Sequence, residues 1–226
     1  MEIDCHSIVI EYLIHNCYKN TAKAFLRDSN KLESCTSRLN KPIKKLAEPM
    51  EVDDDEQWVL LDARKALIQA IERGDIPEAF DLINKHFPSL AAQDGANDQH
   101  TAQLIMFKLH CQQFIEIIRL NSTDGLGAIR YAQKHLNPTT SVLKEKVKEV
   151  TSLIAYTNPE ESHAKHLLSQ ERREQLAAEV NHVILAQCHL PVQTSIERMS
   201  RQYSIVDEEL SKLNDQEFAH REKVAM

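Results

Sequence analysis

Between residues 7 and 30 the chain reads SIVIEYLIHNCYKNTAKAFLRDSN, two apolar faces separated by a short break. Ile8, Val9, Tyr12 and Leu13 line one face of a first helix. Tyr18, Ala22, Phe25 and Leu26 line a second after the break at Asn16-Cys17. Each helix has roughly nine residues, below the ~12–15 at which an isolated helix becomes marginal in water, so packing must supply the stability. A hairpin carrying bulky apolar residues on both members cannot cover them by itself, and so it requires a partner.

Residues 31 to 57 break the pattern. They hold two prolines, the basic block KPIKK and the acidic block EVDDDE, with no sustained apolar period, and read as a flexible charged linker. Beyond it the helical period returns. Leu60, Ala63, Leu67, Ala70 and Ile71 line one face of a helix that stops at Gly74, a residue suited to a left-handed end. Asp75-Ile-Pro-Glu78 then caps the next helix, which carries Ala79, Phe80, Ile83 and Phe87 and must run back antiparallel after so short a turn. Leu104, Phe107, Cys111, Phe114 and Ile118 recur at steps of 3, 4, 3 and 4 in a long helix ended by DGLG. A shorter helix reaches Leu136, and Leu143, Val147, Val150 and Ile154 mark another. Asn158-Pro-Glu-Glu161 is a further start signal, and Leu176, Val180, Val183 and Ile184 define one more helix before Pro191. The last segment sets Ile196, Met199, Tyr203, Val206, Leu210 and Leu213 at steps of 3, 4, 3, 4 and 3, the spacing of a two-helix seam. No alternating strand and no fixed repeat occurs, so the expected fold is all-α, a stack of antiparallel helical hairpins without a sheet.

Composition narrows the functions. In 226 residues the net charge is -7, and the pI is near 5.9, so no broad positive field exists to hold a phosphate backbone and nucleic acid is not an expected partner. KPIKK is read as part of a solvated linker, with an import signal as the alternative. No run approaches the ~18 apolar residues of a membrane span. Five widely spaced cysteines without a secretory leader point to the reduced cytoplasm and nucleus.

Eleven histidines invite a search for a metal or acid-base site. His163-x-x-His166 with His182, Cys188 and His189 is the densest group, but it lies in an ordinary amphipathic pattern without a second cysteine pair at finger spacing. Gly125-Leu-Gly127 lacks the third glycine and the strand of a dinucleotide fingerprint. His110 and Cys111, neighbours on a helix, point about 100° apart, and Cys111 sits on the apolar stripe as a packed core residue. No catalytic residue, metal site or cofactor is expected.

The first stretch resembles a LisH motif, a small helical dimerisation hairpin: Ile8-Val9, Tyr12-Leu13, Tyr18, Thr21-Ala22 and Phe25 stand where its LIxxYLxxxGYxxTAxxF pattern asks for them. Cys17 departs from the family's glycine, and Asn16 is expected to take the left-handed turn in its place. RKALIQAIERGDIPEAFDLINKHFPSL and LIMFKLHCQQFIEIIR are similar to a CTLH domain, and LGAIRYAQKHL, LIAYTNPEES, LLSQERREQLAAEVNHVIL and SIERMSRQYSIVDEEL to a CRA domain. The resemblance implies LisH at 1–30, the linker at 31–57, CTLH at 58–118, CRA at 119–216 and a disordered tail at 217–226. It is closest to the Ran-binding-protein type of the GID/CTLH ubiquitin ligase family, here with no SPRY domain upstream, and the short adaptor subunit of the same complex is the competing assignment.

What the resemblance implies is a non-catalytic scaffold whose partners are other LisH-CTLH-CRA proteins, in homo- or heterodimers. A generic helical adaptor in an unrelated complex is the alternative. Two association surfaces are expected. One uses Ile8, Val9, Tyr12, Leu13, Tyr18, Ala22 and Phe25 with Ile196, Met199, Tyr203, Val206 and Leu210, residues 194 to 214 lying against residues 8 to 26 as the end of a CRA domain lies beside LisH. The other uses Phe80, Phe87, Phe107 and Phe114, with Phe87 the leading candidate.

Overall fold

A computed structural model describes residues 5–36, 55–91, 99–120, 125–138, 140–156, 158–188 and 190–224. Ten α-helices and three short 3-10 turns make up the secondary structure, with no strand among the described residues. The fold is all-α, as the periodicity predicts. The helices are α1 Cys5–His15, α2 Lys19–Thr36, α3 Asp55–Arg73, α4 Ile76–His86 and α5 Pro88–Ala91. The remainder are α6 Gln99–Leu120, α7 Gly125–His135, α8 Ser141–Thr151, α9 Gln170–Gln187 and α10 Ser195–Val224. No described helix is long and apolar enough to cross a membrane.

The described residues divide into two compact units, one drawn from residues 1–53 and 191–226 and the other from residues 54–190. In the second unit α3 packs on α4 and on α9, and the antiparallel return from α3 to α4 is made as its sequence demands. Gly74 takes φ +81°, its N–H reaches Ile71 O at 3.0 Å, and Asp75 N–H reaches Ala70 O at 2.8 Å. That pair of bonds is a Schellman stop, for which glycine is the residue of least strain. Asp75 Oδ1 then accepts from Glu78 N–H at 3.2 Å and starts α4.

Two apolar clusters form the interior of this unit. Leu67 and Ile71 of α3, Ile76 and Ile83 of α4, Leu109 of α6 and Val180 of α9 centre the first. Phe114 and Ile115 of α6, Ala128 of α7, Val150 of α8 and Leu153 centre the second. Helix α6 therefore serves both, its first half facing one cluster and its second half the other, and this is why it needs 22 residues. Burying each large side chain contributes ~1.5–3 kcal/mol.

Three sequence expectations change at the edges. Helix α2 continues to Thr36 and α3 begins at Asp55, inside the span read as linker, and residues 37–54 lie outside the described residues. Helix α10 runs to Val224, inside the segment 217–226 expected to be a disordered tail, and residues 225–226 lie outside the described residues. No glycine or proline interrupts α2 or α10. Asn158-Pro159 starts only a 3-10 turn, Pro159–Glu161, and the helix that follows is capped instead by Ser169 Oγ, which accepts from Arg172 N–H at 3.3 Å.

Candidate functional site

The first unit joins the hairpin at the start of the chain to the helix at its end. Between α1 and α2 the turn is also a Schellman stop, with Cys17 N–H to Ile14 O at 3.2 Å and Tyr18 N–H to Leu13 O at 2.8 Å. Cys17 itself takes φ +58° and is buried, so the turn does not shift to Asn16 as the sequence suggests. Asn16 stays helical in its bonding, its Nδ2 donating back to Tyr12 O at 2.9 Å. The hairpin tolerates the strain of a non-glycine residue here because the Cys17 side chain is enclosed between the helices.

Leu13 and Ala22 join Cys17 in the interior of the hairpin, and Ala22 is fully covered, which lets the two helices approach closely. Ile8 and Phe25 are half-buried. Val9, Tyr12 and Tyr18 remain 36%, 37% and 49% exposed. The expected apolar set thus divides: Leu13 and Ala22 hold the hairpin together, and Val9, Tyr12 and Tyr18 face outward.

Helix α10 is attached to α1 by polar contacts that the apolar pattern did not reveal. The Glu11 carboxylate accepts from Ser195 N–H at 3.0 Å and from Ser195 Oγ–H at 2.6 Å, placing a negative charge at the positive end of a helix. His15 Nε2 lies 3.0 Å from Val192 O. Thr194 Oγ1 accepts from Glu197 N–H at 3.2 Å while Glu197 Oε2 accepts from Thr194 N–H at 3.0 Å, a reciprocal capping box. The Thr194-Ser-Ile-Glu197 spacing carried that signal in the sequence, whereas Glu11 sits 184 positions away from its partner and no local pattern points to it.

The contact foreseen between residues 194–214 and 8–26 therefore exists at the first turn of α10. Lengthwise packing does not follow: Ile196, Met199, Tyr203, Val206, Leu210 and Leu213 are all exposed, Tyr203 by 73%. The seam spacing is real, and what covers it is not another helix of this chain among the described residues.

The four phenylalanines read as a second surface separate in the structure. Phe87, 5% exposed, closes α4 and packs into the first cluster, and Phe114 is fully enclosed in the second. Both belong to the interior, which corrects the reading of Phe87 as the leading surface candidate. The reversal of the chain at Pro88 turns its ring inward onto the cluster that holds Ile83 and Leu90. Phe80 and Phe107 are only half-buried and keep an outward edge.

Beside Phe80 lies an aromatic stack that the sequence reading missed because its members come from three helices. The His110 ring packs on Phe80 and on His135, each at 4.7 Å between centroids, and Tyr131 stacks on His135 at 4.6 Å. His110 Nδ1 and Tyr131 Oη are 2.8 Å apart. Burial, with the neighbouring His135 adding to it, pulls His110 down to about 4, and burial pushes the Tyr131 hydroxyl up. Cys111, one residue on, faces the second cluster and is raised to about 11 by burial, a thiol and not a thiolate. His135 is lowered by desolvation and by Lys134.

The lowered His110 makes stability depend on pH. Its folded value lies below its unfolded 6.5, so its contribution is complete above pH 6.5 and is lost as the pH falls through about 4. The melting temperature should fall more steeply between pH 6.5 and 4 in the native chain than in His110→Gln, which keeps a polar side chain there without titrating. Equal slopes would show that His110 is not desolvated.

No three His, Cys, Asp or Glu side chains gather for a metal ion among the described residues. His166 instead faces Glu149, Nε2 to Oε1 at 3.0 Å.

Residues 60–211 match the family described as the CTLH/CRA C-terminal to LisH motif domain. The chain is 28% identical over 221 residues to the Ran-binding protein M homolog of Arabidopsis thaliana, covering 92% of this chain and 43% of that relative. It is 26% identical over 196 residues to the glucose-induced degradation protein 8 homolog of Nematostella vectensis, covering 85% of this chain and 73% of that relative. The GID8 homolog of Arabidopsis thaliana is 25% identical over 185 residues, 80% of this chain and 63% of that protein. With two thirds of its length matched, this chain belongs to the CTLH/CRA C-terminal to LisH motif domain family.

Proposed function

We propose that the chain is a non-catalytic scaffold subunit of a GID-type ubiquitin ligase, joining other LisH-CTLH-CRA proteins through helical interfaces while the ligase chemistry resides on those partners. The observation that carries this reading is the end built from α1, α2 and α10. There Val9, Tyr12 and Tyr18 and the six-residue stripe of α10 remain exposed. Contiguous exposed apolar residues rimmed by charge mark a protein interaction site. A second association surface at Phe80 and Phe107 belongs to the same reading. The relatives in hand include both the Ran-binding protein M and the GID8 kinds, so the shorter adaptor subunit is the second assignment.

The test is the set of proteins recovered with the tagged chain from its own cells. Other CTLH/CRA chains should accompany it in comparable amounts. The double substitution Tyr12→Glu with Tyr18→Glu should remove those held at the LisH end, at least tenfold by quantitative mass spectrometry, without changing the melting temperature. Tyr12 and Tyr18 are the right pair because Leu13, its neighbour on the helix, is interior and a charge there would unfold the hairpin. An unchanged set of partners would reject this end as an assembly surface.

A further inference from the structure

Helix α10 carries a second chemistry beside its apolar stripe. Every residue from Ile196 to Leu213 is exposed, so packing within the chain adds little to the stability of this stretch. Tyr203-Ser-Ile-Val-Asp207 sets five residues of low helix propensity in a row, between segments richer in Arg, Gln, Met, Glu, Leu and Lys. Ser204 also turns its hydroxyl onto its own helix, Oγ–H donating to Ser200 O at 3.0 Å, a back-bond that weakens and bends a helix slightly. A helix opens first where packing and propensity are both weakest, and in α10 that point is Ser204.

Three carboxylates follow that hydroxyl. Asp207, Glu208 and Glu209 succeed one another after Ser204-Ile-Val, and no Lys or Arg lies between Arg201 and Lys212. Glu208 and Glu209 share Lys212, each at 2.9 Å, whereas Asp207 enters no ion pair among the described residues. Opened to an extended strand, the segment presents one hydroxyl and, ~10 Å along, the first of three consecutive negative charges. Thr194 is the contrast. It too has a glutamate, Glu197, at the position Asp207 holds relative to Ser204, but its side chain is fully enclosed and its Oγ1 accepts from Glu197 N–H at 3.2 Å.

We propose that Ser204 is a phosphoacceptor for an acid-directed protein kinase, one whose substrate groove is basic and reads the carboxylates of Asp207, Glu208 and Glu209. In the transfer Ser204 Oγ attacks the γ-phosphorus of ATP, the bond from that phosphorus to the bridging oxygen breaks to release ADP, and the hydroxyl proton passes to the catalytic carboxylate of the kinase. The phosphoserine brings about −1.5 to −2 charges at pH 7 to a site one turn before Asp207 and Glu208, and like charges at that spacing weaken a helix. Arg201, one turn earlier, offsets part of this repulsion. The modified segment therefore opens more readily than the unmodified one. The site belongs to α10 itself and does not depend on the assembly reading above.

The test incubates the full chain with ATP and, in turn, two purified kinases: one selecting acidic residues after the serine, the other selecting an arginine one turn before it, a preference Arg201 satisfies. Peptide mass spectrometry should place the phosphate from the first kinase on Ser204. Asp207→Asn with Glu208→Gln and Glu209→Gln should lower the initial rate of that transfer at least tenfold, with the helix content by circular dichroism unchanged. Asp207→Asn alone, which leaves both ion pairs of Lys212 in place, should lower it at least threefold and serves if the triple variant loses helix. Amide exchange across 203–208 should be faster in the phosphorylated chain than in the unmodified one. No transfer to Ser204 by the first kinase, transfer there by the second kinase alone, or an unchanged rate in Asp207→Asn overturns the site. Unchanged amide exchange after phosphorylation overturns the loosening of α10.

Discussion

Glu116→Gln should lower the melting temperature of the chain's larger unit by about 10 °C. The Glu116 carboxylate is 4% exposed and receives Arg173 Nε on Oε1 at 2.8 Å, Arg173 Nη2 on Oε2 at 2.5 Å and Gln112 Nε2 on Oε1 at 2.7 Å. Arg119 Nε stands 3.9 Å from Oε2. An amide accepts on one atom only and turns an N–H pair toward the guanidinium, which is left charged with its side chain 12% exposed. Removing one partner of a buried ion pair costs ~3–5 kcal/mol, because the survivor remains desolvated. At ~2–4 °C per kcal/mol for a protein of this size, circular dichroism resolves the loss easily. Replacing both partners, Glu116→Leu with Arg173→Met, should recover most of the stability, since an apolar pair leaves nothing unpaired. A loss under 2 °C for the single change would mean that the pair is solvated.

That ion pair was invisible in the sequence. Glu116 and Arg173 are 57 positions apart, and each lies in a helix where charge at such a position ordinarily marks the solvent face. By contrast, the elements written in consecutive residues were legible. Gly74-Asp75 stops one helix and caps the next as its chemistry demands, and the stripes through α3, α4, α6 and α9 supply most of the interior, although Leu60 stays exposed. Local rules misled where a side chain had a tertiary alternative. Cys17 keeps the left-handed turn because its thiol is enclosed, although Asn16 has the better intrinsic tolerance.

The candidate interface was legible to the same degree. Periodicity identifies an apolar stripe but does not say whether it faces the same chain or another, so Phe87 and Phe114 could not be told from Phe80 and Phe107 before burial was known. The α10 stripe shows the other side of this limit. Its spacing foretold a seam, and only its exposure shows that the seam stays open within the chain. The attachment of α10 to α1 through Glu11 is polar and long-range, and no pattern of hydrophobic positions carries it.

Gly74→Ala is the second large loss, and it is coupled to the first. At φ +81° an alanine is strained by ~1–3 kcal/mol whatever surrounds it. Here the added Cβ also meets Arg173, 2.6 Å from Nη2 and 2.8 Å from Cζ, far inside van der Waals contact. An arginine on the surface would swing away. Arg173 cannot do so at no cost, because the same Nη2 and Nε are bonded to Glu116. Moving the guanidinium gives up part of the buried ion pair, so the total should exceed the backbone strain alone and reach about 3 kcal/mol or more. In a Glu116→Gln background Arg173 is already released, and Gly74→Ala should cost only the backbone strain. The two changes together should then be less damaging than the sum of their separate losses by ~1–3 kcal/mol, the size of coupling found between side chains sharing one network. Urea denaturation of the four chains of the cycle measures that difference, and strict additivity would show that Arg173 yields freely and that the close approach over Gly74 has no part in holding Glu116.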